Sequence, residues 1–259
     1  MRILVSNDDG VYAPGVRALV QALVQHEHEV TVVCPDRERS ATGHALTLHK
    51  PLRVDRIDDL FPAGALVYAV SGTPSDCVKL GLDALVAQKP DLVISGINRG
   101  ANLGTDVLYS GTVSAAMEGT LEGFPSLAVS LVSYSADDFG PAARFISRFI
   151  KDLAQKPVSG GFLLNINVPA IAEEDICGPV LTQLGVRRYT DIFEKRTDPR
   201  GKTYYWLAGI AQESEEKPGT DVWAVRSNYI SVTPLHFDLS DGPGFNRWMD
   251  WGLETSPPS

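Results

Sequence analysis

The sequence predicts an α/β chain built on a doubly wound, mostly parallel sheet, with a C-terminal β-hairpin extension. Three observations lead there. Short apolar runs with strand character alternate with longer runs of helical periodicity, the segments between them carry turn and capping residues, and this rhythm stops after about Pro169.

Taken in order, residues 2–6 form a short buried strand, and from Pro14 the apolar Val16, Leu19, Val20, Leu23 and Val24 recur at helical spacing. A strand at 29–33 completes a βαβ unit, whose crossover is expected to be right-handed and whose strands are expected to be parallel. The alternation continues with a strand at 65–70, a helix over 74–86 that opens on Thr73-Pro74, and a strand at 91–95. A further helix starts near Gly111. Then come a strand at 126–131, an amphipathic helix over 140–154 and a strand at 162–168. Alternation of this kind places helices on both faces of the sheet. Beyond Pro169 the segments are mixed, with an acidic stretch at 213–216, Pro218-Gly219 and a late strand at 229–233. We divide the chain at 180: residues 1–180 as the core, and residues 181–259 as an extension with an arm and a strand returning to the core. The tail 255–259 is expected to fray.

Composition narrows the function classes. The chain has 259 residues, 44% hydrophobic and 21% charged, the balance of a folded globular protein. It has no apolar run near the ~20 residues that span a bilayer, and residues 1–5 enter a strand directly, so a cytoplasmic location is expected. The net charge of −9 opposes extended binding to nucleic acid or anionic membrane. Three widely spaced cysteines, Cys34, Cys77 and Cys177, suggest buried thiols rather than a disulfide framework or zinc site.

In open α/β sheets ligands bind outside the carboxyl ends of the strands. The loop after the first strand, Ser6-Asn7-Asp8-Asp9-Gly10, carries adjacent carboxylates, and hard divalent cations neutralise such pairs. Asp9-Gly10 alone serves equally as ordinary turn chemistry; its position at a strand end favours the metal. In the next loop Ser40 offers a hydroxyl to a metal or phosphate, and Arg37 or Arg39 a positive charge, although a solvated charged loop fits the same residues. The third loop, Ser95 to Gly104, combines three glycines with Asn98 and Asn102, and Asn98 suits a metal. Ser110-Gly111-Thr112 opens a helix whose free N–H groups and positive dipole end suit phosphate; an N-cap alone is the plainer reading. Ser71-Gly72-Thr73-Pro74 is read as capping. His236, two residues before Asp238, is either a polarised acid or base or a structural histidine.

With Ala13-Pro14-Gly15, Gly72-Thr73-Pro74, Ser95-Gly96-Ile97-Asn98, Tyr109-Ser110-Gly111-Thr112, Asn165-Ile166-Asn167-Val168-Pro169, Gly219-Thr220-Asp221 and Thr233-Pro234-Leu235-His236 in order, the chain resembles the SurE survival-protein family of 5′-nucleotidases. The resemblance implies a Rossmann-like core, an arm exchanged within homodimers or homotetramers, and one divalent ion, manganese or magnesium. It implies hydrolysis of nucleoside 5′- and 3′-monophosphates, and trimming of short polyphosphate in some relatives. By position, Asp8, Asp9, Ser40 and Asn98 resemble metal ligands, and Asn102, Ser110, Gly111 and Thr112 resemble phosphate-site residues. Asp8 or Asp9 then orients the attacking water, with a covalent aspartyl-phosphate as the alternative. Two rivals remain: a non-enzymatic receiver-type module, which also sets an acidic pair after its first strand, and a metal-dependent nucleotide-sugar transferase.

Overall fold

The computed structural model describes residues 1–61, 64–155, 160–212, 217–241, 244 and 251; the acidic stretch at 213–216 and the tail at 255–259 fall outside them. The first half alternates β1 (Arg2–Ser6), α1 (Pro14–Gln25), β2 (Glu29–Pro35), β3 (Val54–Arg56), β4 (Ala65–Val70), α2 (Pro74–Leu80), β5 (Leu92–Arg99) and α3 (Gly111–Leu121). It continues through β6 (Ser126–Val132), α4 (Gly140–Gln155), β7 (Leu163–Pro169) and β8 (Pro179–Leu181). The hairpin strands β9 (Arg188–Thr197) and β10 (Thr203–Gln212) follow, then α5 (Asp221–Arg226) and β11 (Ile230–Leu235).

Among the described residues one nine-stranded sheet runs β3-β4-β2-β1-β5-β6-β7-β11-β8. Its central six strands are all parallel. Their order is that of the doubly wound dinucleotide-binding fold, and it differs from the five-stranded receiver arrangement, which removes the topological basis of that rival. The sheet is mixed only at its margins, where β3 runs antiparallel to β4 and β11 antiparallel to β7.

Period-two alternation sorts β1 between two cores. Ile3 and Val5 face one side with Val16, Leu19 and Leu23 of α1 and Ile146 and Ile150 of α4; Leu4 faces the other with Val78 of α2 and Ala115 of α3. Each fully buried aliphatic side chain contributes roughly 1.5–3 kcal/mol. On the second face Glu118 of α3 is buried and bonds Lys79 of α2 at 2.9 Å and His44 at 2.6 Å, joining two helices and the long loop before β3.

The structure departs from the sequence reading at four points. The helix expected over 74–86 is α-helical only to Leu80 and widens into a π turn over Gly81–Leu85. Gly81 sits there against Leu4, where a Cβ would approach its methyl carbons at 3.2 Å. The strand expected to stop at residue 95 continues to Arg99 through a register shift between Ser95 and Asn98. The margin strands β3 and β8 carried no readable pattern. Finally, Cys34 and Cys77 are buried but Cys177 is exposed.

Candidate active site

β2 and β5 flank β1, and chain connections leave it in opposite directions, so a crevice opens between the carboxyl ends of β1 and β5. Asn7 closes the loop after β1: its Nδ2 donates to the Gly10 carbonyl at 2.9 Å and its Oδ1 accepts the Gly10 N–H at 3.2 Å. Gly10 takes a positive φ of 95°, and a Cβ there would stand 2.9 Å from the Arg37 backbone. The Arg39 N–H reaches the Asp8 carbonyl at 2.7 Å, drawing the β2 loop alongside.

This turn puts two carboxylates into the crevice. Asp8 is only 6% exposed, and its Oδ1 accepts the Thr112 hydroxyl at 2.5 Å. Burial pushes the Asp8 carboxyl up to about 6; the Thr112 hydroxyl opposes that rise, and the neighbouring Asp9 charge adds to it. Gly111 makes the approach possible, since a Cβ there would lie 2.7 Å from the Asp8 Cβ. Asp9 is half-buried and accepts the Arg99 N–H at 2.9 Å. Its carboxyl is also raised, by burial first and by Glu38, against the Arg99 hydrogen bond.

The facing wall comes from the end of β5 and the start of α3. The shifted register lets Asn98 and Arg99 rejoin the ladder beside Ser130 and Leu131 of β6. Asn98 commits its Nδ2 to the Gly100 carbonyl at 2.8 Å, which leaves its amide oxygen as the free acceptor. Asn102 is fixed from below: Asn165 and Asn167 donate to its carbonyl, and its own Nδ2 bonds Ser130 at 2.7 Å. Ser110 caps α3, accepting the Val113 N–H at 3.0 Å.

These residues line a cavity of about 520 Å³ that contains Asp8, Asp9, Ser40, Asn98, Asn102 and Ser110 together. Gly111 and Thr112 stand behind the wall. Thr112 is buried with its hydroxyl on Asp8, and its main-chain N–H also stabilises that carboxylate, so the residue orients Asp8 rather than facing the cavity. Ser40 is at the exposed rim and donates to Glu38 at 2.6 Å, which keeps its oxygen lone pairs for a cation. Arg39 turns away to Asp36 and the Ser71 carbonyl, and Arg37 is largely exposed. His236 is away from the cavity, where its Nδ1 accepts the Asp238 N–H at 2.9 Å and its ring stacks on Phe237.

Five lining residues with charged or aromatic side chains were given no site role from the sequence: Glu38, Arg99, Asp106, Tyr109 and Tyr134. Tyr134 follows β6, so the rule that ligands gather at strand carboxyl ends would have found it. Tyr109 and Tyr134 are exposed and present ring surface at the mouth. Asp106 had no signal, because it arrives on a 3-10 turn (Gly104–Leu108) that the sequence does not announce.

Among the described residues no three His, Cys, Asp or Glu side chains form a metal cluster. The donors gathered here are of another kind: two carboxylates, a hydroxyl and an amide oxygen. Four carboxylates line the cavity, whereas its cationic lining is Arg99, whose guanidinium bonds Asp137 at 2.8 Å. Desolvated adjacent carboxylates with hard oxygen neighbours fit a divalent cation.

The family model described as "Survival protein SurE" matches residues 3–191. A protein of Gloeobacter violaceus named 5′-nucleotidase SurE is 62% identical over 244 residues, covering 94% of this chain and 93% of its own. A Synechococcus protein of the same name is 60% identical, covering 98% of each chain. The crystal structure of the SurE protein from Aquifex aeolicus superposes with a TM-score of 0.84 at 40% identity, covering 98% of this chain and all of that one. With the fold, the motif order and near full-length similarity in agreement, the chain belongs to the SurE family.

Proposed function

We propose that the protein is a 5′-nucleotidase that hydrolyses nucleoside 5′-monophosphates to nucleoside and phosphate. One divalent ion, manganese or magnesium, would be held by Asp8, Asp9, Ser40 and Asn98. The observation that carries the reading is the pair of desolvated carboxylates facing a capped helix N-terminus across one cavity. The names of the close relatives support the same activity.

When bound, a divalent ion at these donors supplies Lewis-acid polarisation of the phosphoryl group and eases deprotonation of water. The chain does the rest. Asp8 or Asp9 would orient the attacking water and take its proton as the new P–O bond forms; the bond to the sugar oxygen breaks, and that oxygen leaves as the nucleoside hydroxyl with a proton drawn from solvent. The Ser110 hydroxyl and the Gly111 N–H at the start of α3 would receive the non-bridging oxygens, whose charge the helix dipole favours, while Thr112 holds Asp8. Asn102, rigidly mounted on β7, has one amide hydrogen left for the same purpose.

The site also suits 3′-monophosphates and short polyphosphate, which present the same terminal phosphoryl group. The hairpin β9–β10 exposes Phe193, Trp206 and Leu207 in the single chain, and this supports burial against a second copy in a homodimer or homotetramer. No helix among the described residues is long and apolar enough to cross a membrane, and free Cys34, Cys77 and Cys177 suit a reducing, cytoplasmic location.

The test is phosphate release from a panel of 5′- and 3′-monophosphates and tripolyphosphate, with manganese, magnesium or chelator. Release from 5′-monophosphates that chelator abolishes is expected. Folded protein releasing nothing with either metal would overturn the reading.

A further inference from the structure

The turn that carries the phosphate side of the cavity is held from the far end of the chain. Asp221, at the start of α5, is 0% exposed. Its Oδ2 accepts the Gly104 N–H at 2.7 Å, and its Oδ1 accepts the N–H groups of Gly185 at 2.7 Å and Val222 at 2.8 Å. Two glycines allow this closeness. Gly104 has a φ of +54°, and a Cβ on it would lie 2.7 Å from the Gly185 carbonyl oxygen; a Cβ on Gly185 would lie 3.2 Å from the Asp221 Oδ1.

The next two residues of the turn repeat the attachment. The Thr105 hydroxyl donates to the Arg187 carbonyl at 2.7 Å, and the Asp106 Oδ2 accepts from the Arg187 guanidinium and the Tyr189 hydroxyl, both at 2.6 Å. Three successive turn residues are therefore bonded to the segment around Asp221 and the root of the hairpin arm. Upstream, Asn102 is pinned to β7; downstream, the turn runs through Tyr109 into Ser110, the cap of α3.

We propose that Asp221 is a positioning residue for the phosphate site. Its carboxylate holds the turn at 104–108, and through it Ser110 and the Gly111 N–H, in the geometry that receives a phosphoryl group. The role rests on the nucleotidase reading above. It requires a carboxylate, because two oxygens serve three main-chain donors; asparagine keeps the volume but sets an N–H donor against Gly104 or Gly185. Displacement of a binding group by a fraction of an ångström weakens what it binds; Asp9, held by the Arg99 N–H, stays in place, and Asp8 is reached only through Thr112.

The experiment compares the parent with Asp221→Asn in three measurements: kcat and KM for AMP, Mn2+ affinity, and amide exchange by mass spectrometry. In the variant KM is expected to rise about tenfold with kcat within about threefold, as for loss of one charge-assisted hydrogen bond. Mn2+ affinity is expected to fall by less than KM rises, and exchange quickens over residues 101–113 while β1 and α1 stay protected. If the variant does not fold, Arg187→Gln, which removes one of the two donors that hold Asp106 at the same turn, carries the test with a smaller KM rise. An unchanged KM, or exchange that quickens throughout the chain, would overturn the proposal. A parent that releases no phosphate would overturn the nucleotidase reading, and local exchange over 101–113 would still report whether Asp221 holds the turn.

Discussion

Asp8 carries an electrostatic cost in the metal-free fold. Its carboxyl is buried beside another carboxylate, and its proton is held up to about pH 6 in the metal-free fold. Because the folded pKa lies above the unfolded value near 3.8, the metal-free protein binds that proton more tightly than the unfolded chain does. Its stability therefore falls as pH rises from about 4 through 6, by on the order of 3 kcal/mol from this group. Replacing the carboxylate with the isosteric amide removes the cost, keeps an acceptor for Thr112 and removes the chemistry. Asp8→Asn is thus expected to raise metal-free stability at pH 7.5 by about 1–2 kcal/mol in urea unfolding and to lower phosphate release by at least about a thousandfold. A variant less stable than the parent at that pH would show that the Asp8 charge is already compensated in the fold. This carboxylate pair was legible in the sequence as Asp8-Asp9 after an apolar strand. The role of Thr112 was not, because a threonine two residues into a helix looks the same whether it faces a ligand or a carboxylate on a distant loop.

Elements matter here for what they bring close. Helix α1 starts on Pro14-Gly15, and a Cβ on Gly15 would stand 1.9 Å from the Ile97 carbonyl oxygen, inside the shifted segment of β5 that presents Asn98. Helix propensity alone predicts that Gly15→Ala stabilises by about 1 kcal/mol. Backbone contact predicts the reverse, a loss of about 2–4 kcal/mol in thermal or urea unfolding together with weakened metal binding, and the sign of the change decides between them. The strands and long helices could be read from apolar periodicity because both faces of the sheet are covered. The shifted register in β5 could not, because it depends on Gly96 lying against the Val129 carbonyl oxygen of β6, a neighbour the local sequence does not name. The π turn after α2 was hidden in the same way: residues 74–86 keep helical spacing while the backbone widens.

For the whole molecule, strand order does more than any single motif. It sets β1 beside β5 at the point where connections diverge, so loops separated by about ninety residues in sequence share one cavity. The C-terminal region, read in the sequence as an extension with an arm and a strand returning to the core, sends β11 and also β8 into the main sheet and bonds the turn beside the site through Asp221 and Arg187. The bonds of Asp221 and Arg187 to the turn span more than eighty residues, a range at which hydrophobic periodicity carries no information. In the proposed reaction the Asp8–Asp9 pair holds the divalent ion on which phosphate release depends. The most direct test titrates Mn2+ into the parent and Asp9→Asn while AMP hydrolysis is followed in the same samples. Stoichiometric binding and hydrolysis in the parent, both lost by at least about a hundredfold in the variant with its fold intact, is the predicted result. Hydrolysis that persists in Asp9→Asn, or that proceeds in the parent without bound metal, would contradict it.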